Sequence, residues 1–355
     1  MTASAFDPAR AAMELAEFAR RAAELLPALR AAGDDPEAGC ARDAVWRRDK
    51  VTLYRYRAIA QPKALPPLLI VFALVNRPYI LDLAPDRSLI RGLLAAGLDV
   101  YLIDWGCPDG ADRDLRLADY IDGYLDGAVR EILATHGIAS LNLLGVCQGG
   151  TFSLCYTALH GDAVRNLVTM VTPVDFRTPE NLLSRWVADI DIDLMAAGGN
   201  VPGQVLNNAF LALQPFRLTQ QKYVDLVRSG ASPARVAEFL RMERWIFDSP
   251  ELPAALFRDY VKGCYQENRL VAGTLEIGER KVSLRAITQP VLNIYATQDH
   301  IVPPSASLPL AQHIATRDYT AMPVDVGHIG MYVSSRARDT VPPAIAAWLA
   351  ARPAD

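Results

Sequence analysis

Short, mostly apolar runs recur along this chain, each too brief for a helix and separated by stretches of helical spacing. LLIVFALV at 68–75, LDVYLIDW at 98–105, LNLLGV at 141–146, Leu167 to Val171 and VLNIYA at 291–296 are such runs. Helical patterns at Arg87 to Ala96 and Leu117 to Thr135 lie between them. That alternation predicts a parallel sheet covered on both faces. It breaks off between about 176 and 286, where Pro179 to Val187, Thr219 to Val227, Ala234 to Phe247 and Leu252 to Cys264 read as helices, and one hairpin turns at Gly278. A last strand is expected near Tyr319 to Val324, with a helix at Val341 to Ala350. The order predicts an α/β core over 46–175 and 287–355, split by a helical cap insertion at 176–286. A helical segment at 1–45 precedes it, with its amphipathic stretch at 10–30 ended or broken near Pro27 and a polar loop from Gly33 to Gly39.

Composition narrows the function. The 355 residues sum to a net charge of −4 with no basic run, against what a nucleic-acid surface needs. The longest apolar run without proline is eight residues, far short of the roughly 20 that span a bilayer. The first 32 residues carry Asp7, Glu14 and Glu17 and do not resemble a secretory signal. Five scattered cysteines, Cys40, Cys107, Cys147, Cys155 and Cys264, suit a reduced compartment and suggest neither disulfides nor a metal site. A cytoplasmic protein without metal or cofactor is expected.

The chemistry is carried by Gly145-Val146-Cys147-Gln148-Gly149-Gly150, which follows the run LNLLGV and opens a helical stretch. Strand, tight turn and helix, with glycines two before and two after a nucleophile, form the pattern of a nucleophile elbow. A helix N-terminus there favours a thiolate. The plain alternative is a buried structural cysteine. Asp299 lies in a loop after VLNIYA and His328 in a loop after the last strand, the ends at which open α/β sheets bind ligands. Cys147, Asp299, His328 is the nucleophile–acid–base order of α/β-hydrolases. His300 competes as base, although its neighbour Asp299 would point the other way on an extended segment. His136, His160 and His313 read as surface or packing residues. The oxyanion donors are expected to be the backbone N–H groups of Gln148 and Val75, with Asn76 in reserve.

The stretches LLIVFALVNRPYILDL, VYLIDWGCPD, LLGVCQGG, NLVTMVTPVDF, RMERWIFDSP and QDHIVPP…GHIGMYVS, from about Val51 onward, closely resemble class III polyhydroxyalkanoate synthases, catalytic subunit. The resemblance implies an α/β-hydrolase-fold acyltransferase that polymerises (R)-3-hydroxyacyl-CoA, such as 3-hydroxybutyryl-CoA, and releases CoA. It places the family's triad on Cys147, Asp299 and His328. It also implies a homodimer, a second synthase subunit of class III or class IV type, and association with polyester granules. Asp299 would either orient His328 or assist deprotonation of the attacking hydroxyl. Trp186, Phe210, Phe216, Trp245 and Phe247 make the insertion either a water-excluding lid or a plain cap with an aromatic core. A Cys-nucleophile hydrolase on the same triad and a catalytically silent binding protein are the rival functions.

Overall fold

A computed structural model of the chain describes residues 7–31, 39–230 and 232–352. In chain order its principal elements are α1 (Pro8–Ala31), β1 (Arg42–Arg48), β2 (Val51–Tyr56), β3 (Leu68–Val71), α2 (Leu89–Ala95), β4 (Val100–Asp104), α3 (Asp126–His136), β5 (Leu141–Val146), α4 (Gln148–Leu159) and β6 (Val164–Met170). Then follow α5 (Gly203–Ala212), α6 (Pro233–Phe247), α7 (Ala254–Tyr260), β7 (Val291–Ala296), β8 (Tyr319–Val324) and α8 (Ser335–Ala350). The eight strands form one sheet in the order β1-β2-β4-β3-β5-β6-β7-β8. Only β1 and β2 are antiparallel to their neighbours; the pairings from β4 through β8 are parallel. This is the α/β-hydrolase fold that the sequence predicts.

The apolar runs are continuous because the strands are buried on both sides, and the period of two sorts their residues into two cores. Leu69, Val71, Leu141, Leu143 and Leu167 face one side, where Ala128, Val129 and Ile132 of α3 and Phe152 and Tyr156 of α4 cover them. Leu68, Ile70, Leu144, Val146, Val168 and Met170 face the other, under Ile90 and Leu93 of α2 and Val341 and Ile345 of α8. Each fully buried Leu or Ile adds about 1.5–3 kcal/mol to the folded state. Helix α3 stops at Gly137, whose φ of 62° takes the left-handed turn that a Cβ would disfavour.

No strand of the main sheet lies between Met170 and Val291 among the described residues; helices occupy the interval, with the small hairpin Glu276–Ile277/Arg280–Lys281 turning at Gly278. Three expectations are corrected. Strand β1 starts at Arg42, so the segment 1–45 is not helical throughout. Its residues are mostly exposed and charged, which suits an edge strand and leaves no buried-face pattern to read. Helix α1 continues through Pro27 to Ala31 although the proline removes one backbone hydrogen bond. Two residues earlier Leu25 is seated between Leu226 and Val236 of the insertion. The α2 stretch begins two residues late, because Arg87 and Ser88 pair in a short hairpin and Ser88 then caps the helix by accepting the N–H of Arg91 at 2.8 Å. The expected loop at 33–38 lies outside the described residues; Gly39 is a bend.

Candidate active site

Cys147 sits at the crossing from β5 into α4 with φ 54° and ψ −125°. A non-glycine residue there stores on the order of 1–3 kcal/mol of strain. The surroundings hold it by close approach. A Cβ on Gly149 would stand 2.1 Å from Val71 O, one on Gly150 1.8 Å from Thr172 Oγ1, and one on Gly145 2.4 Å from Gly150 Cα. The three glycines are therefore obligatory for the turn. Cys147 N–H donates to Met170 O at 2.9 Å, fixing the turn to β6.

Two loops at the same sheet edge bring the partners. Asp299, after β7, accepts from Ile301 N–H and Val302 N–H with Oδ1, both at 2.9 Å. Its Oδ2 lies 2.7 Å from Nδ1 of His328, which follows β8. A carboxylate only accepts, so Nδ1 carries the proton and Nε2 is turned towards the nucleophile. Both side chains are buried. Burial pulls the imidazole pKa down, but Asp299 first and Cys147 second, each by charge and by hydrogen bond, override it and raise it to about 10. A further group addresses Nε2: the hydroxyl of Tyr332, at 3.0 Å. Sequence reasoning missed it, although a spacing of four residues from His328 places it one helical turn away.

The structure thus brings Cys147, Asp299 and His328 together. His300 lines a cleft beside them, with Nε2 buried and without a hydrogen-bond partner. Burial pulls its pKa below the ordinary imidazole value. His136 is engaged with Tyr101 at 2.9 Å, and His160 stacks on Tyr156 and contacts Asp122, as packing residues do. His313 ends a short helix at Leu310–His313. Among the cysteines Cys155 is buried and pushed up to about 12 by burial and then Asp122, and burial likewise raises Cys40 and Cys264. Cys107 is exposed beside the Arg77 guanidinium, 2.7 Å away.

The loop after β3 is held from two sides. Gln148, first residue of α4, accepts the N–H of Leu74 with its side chain at 2.9 Å. On the cap side Asn76, at φ 60°, donates its amide to the carbonyls of Trp245 and Ile246 at 3.1 and 3.0 Å. Those carbonyls belong to the last turn of α6, where i+4 donors run out; Trp245 O also accepts the N–H of the C-cap Asp248 at 3.2 Å. Asn76 N–H donates to Ser249 Oγ at 3.2 Å, which removes it from the reserve of oxyanion donors, and Trp245 Nε1 donates to Arg77 O at 2.7 Å. Val75 lines both clefts that open at Cys147. One, of about 770 Å³, includes Phe210, Leu218 and Trp245 of the insertion together with His328 and Tyr332. The other, of about 1050 Å³, is walled mainly by the insertion, including Val205, Leu256, Phe257, Tyr260 and Tyr265.

Comparison with known proteins agrees with this architecture. Residues 66–335 match the alpha/beta hydrolase fold family, and residues 38–93 match the N-terminus of poly-beta-hydroxybutyrate polymerase (PhaC). The poly(3-hydroxyalkanoate) polymerase subunit PhaC of Allochromatium vinosum is 56% identical over 311 residues, covering 87% of this chain and 88% of its own. The protein of the same name from a Synechocystis species is 48% identical, covering 90% and 87%. Among solved structures, a putative non-heme bromoperoxidase from Mycobacterium tuberculosis aligns with TM-score 0.53 at 16% identity, covering 88% of this chain and 100% of that one. An enol-lactonase from Burkholderia xenovorans aligns with TM-score 0.51 at 17%, covering 87% and 100%; such likeness concerns the fold alone. With an elbow cysteine, its buried His–Asp pair and relatives of this identity, the chain belongs to the PhaC family of poly(3-hydroxyalkanoate) polymerases.

Proposed function

We propose that this protein polymerises (R)-3-hydroxyacyl-CoA, 3-hydroxybutyryl-CoA being the expected substrate, through an acyl thioester on Cys147. The observation that carries the mechanism is a cysteine at the strained elbow, sharing a cleft with a His328 whose Nδ1 is held by Asp299. The raised pKa of His328 favours the imidazolium, and an imidazolium beside sulfur favours the thiolate nucleophile. Attack on the CoA thioester builds a tetrahedral oxyanion, which the N–H groups of Gln148 and Val75 would stabilise. CoA leaves as its thiol, with the proton from His328. One thioester has replaced another, so the step is nearly isoenergetic and the acyl group stays activated.

A 3-hydroxyl then attacks the Cys147 thioester, giving up its proton towards His328, and an oxoester forms downhill. Asp299 keeps Nδ1 oriented and compensates the imidazolium charge throughout. Water is the competing acceptor. The apolar walls of both clefts, many of them from the insertion, support a water-excluding lid. We further infer a homodimer that works with a second synthase subunit at the polyester granule surface, in keeping with relatives named as polymerase subunits. No helix among the described residues is long and apolar enough to cross a membrane.

The test is incubation with 3-hydroxybutyryl-CoA while following free thiol and insoluble polymer together. Release of CoA matched by polyester is expected. Release matched by free 3-hydroxybutyrate would make the protein a hydrolase on the same triad.

A further inference from the structure

Nε2 of His328 has a single lone pair or a single proton, and the Tyr332 hydroxyl lies on it at 3.0 Å, while Cys147 lines the same cleft and acts on the same imidazole. Tyr332 is buried and fixed edge-on between Phe72, at 5.9 Å between ring centroids, and His328, at 5.6 Å. Burial, with Cys147 and Asp299 adding to it, raises its own pKa well above the ordinary value, so it stays a neutral phenol able both to donate and to accept. Tyr332 and His328 both line the 770 Å³ cleft, and neither lines the larger one. An acceptor hydroxyl approaching the base through that cleft therefore passes the phenol.

Resting on the reading of Cys147 as the acylated nucleophile, we propose that Tyr332 is the proton relay of the elongation step, linking the attacking 3-hydroxyl to His328 Nε2. In acylation the relay is idle, because Cys147 addresses Nε2 directly. Once sulfur carries the acyl group it has no proton to exchange, and Tyr332 is the group left on Nε2. The 3-hydroxyl gives its proton to Tyr332 Oη as Tyr332 gives its own to Nε2. The alkoxide oxygen bonds to the thioester carbonyl carbon, the carbon–sulfur bond breaks, and sulfur leaves as thiolate. The departing thiolate is left beside the newly protonated Nε2, so Tyr332, His328 and Cys147 return to the thiolate–imidazolium pair that opens acylation. Acylation also removes the charge of Cys147 that helps hold the proton on His328, leaving the imidazole readier to accept the next one.

The phenol could instead be a core tyrosine whose hydroxyl merely found a partner; the two cases separate by half-reaction. Tyr332→Phe removes one atom and is compared with the parent in two rapid-quench experiments. Butyryl-CoA, which has no 3-hydroxyl, isolates acylation; 3-hydroxybutyryl-CoA reports elongation. Acylation near the parental rate is expected, with elongation slower by about tenfold to a hundredfold, the lower part of the range for a lost acid–base group. The elongation rate in mixtures of light and heavy water should change from a curved dependence, two protons in flight, to a linear one. Unchanged elongation, or equal loss in both half-reactions with the solvent dependence unaltered, would overturn the relay. Should Tyr332→Phe prove insoluble, 3-fluorotyrosine at this position keeps the hydroxyl and alters its acidity. A shifted alkaline limb of elongation is then expected, and an unshifted one overturns the relay. Failure of the underlying reading would look different: the parent would form no acyl group on Cys147 at all.

Discussion

Strain at Cys147 has a use at the scale of single residues. The left-handed backbone sets Cys147 at the sheet edge, in the cleft that His328 also lines. In the proposed mechanism sulfur rather than oxygen matters, because the acyl-enzyme must remain as reactive as the substrate. Cys147→Ser is therefore expected to acylate at most once, slowly, and to make no polymer, since its oxoester gives up the driving force for transfer to a hydroxyl. Cys155→Ser, buried in α4 on the far side of the turn, should polymerise nearly as the parent does; CoA and polymer per enzyme measure both. His328 also links stability to pH. Its folded pKa, about 10, lies above the ordinary 6.5, so the pair with Asp299 stabilises fully below about 6.5 and that contribution falls away as pH rises through 10. Urea melts at pH 6, 8 and 10 should show the parent's advantage over His328→Gln shrinking with pH. An advantage that grows would contradict the assignment.

Secondary-structure elements position these residues, and here the sequence was only partly legible. The placement of Cys147, Asp299 and His328 at one sheet edge could be read because each follows a strand with an unmistakable apolar run, and the elbow glycines announce a turn no side chain could enter. Gly149→Ala should lose at least the 1–3 kcal/mol or so of an overpacked core, because the obstructing atoms are the backbone oxygens of Val71 and Phe72; a thermal melt reports it. Strand β1 was hidden because an exposed, charged edge has no buried face to impose alternation. The roles of Asn76 and Tyr332 were hidden because they exist only once distant elements meet: Asn76 tolerates the left-handed backbone and caps the C-terminal carbonyls of α6, 169 and 170 residues away. That clamp ties the loop carrying Val75 to the insertion. Asn76→Ala should cost about 1–3 kcal/mol through the lost amide bonds to Ile246 O and Trp245 O, of which Trp245 O keeps the Asp248 N–H. It should also expose Cys147 to a bulky maleimide faster than in the parent, with labelling read peptide by peptide against exposed Cys107 as the internal reference.

Across the whole molecule, one sheet with a core on each face makes a rigid base, and the insertion supplies most of the cleft walls over a single sulfur. Helix α1 joins the insertion rather than the sheet, through Leu25 against Leu226 and Val236, while Met13 and Leu15 remain 68% and 69% exposed. If a second synthase subunit is required, the purified chain alone should polymerise slowly and after a lag, and adding that subunit should remove the lag. Full specific activity without it would contradict the requirement. The central claim is narrower than the assembly: growth proceeds through a thioester on one named sulfur. The most direct measurement is to quench the parent during turnover of labelled 3-hydroxybutyryl-CoA, digest it at low pH and locate the label by mass spectrometry. The account predicts a hydroxylamine-labile acyl group on the peptide containing Cys147. Label on another residue, or polymer formed while Cys147 stays free, would contradict it.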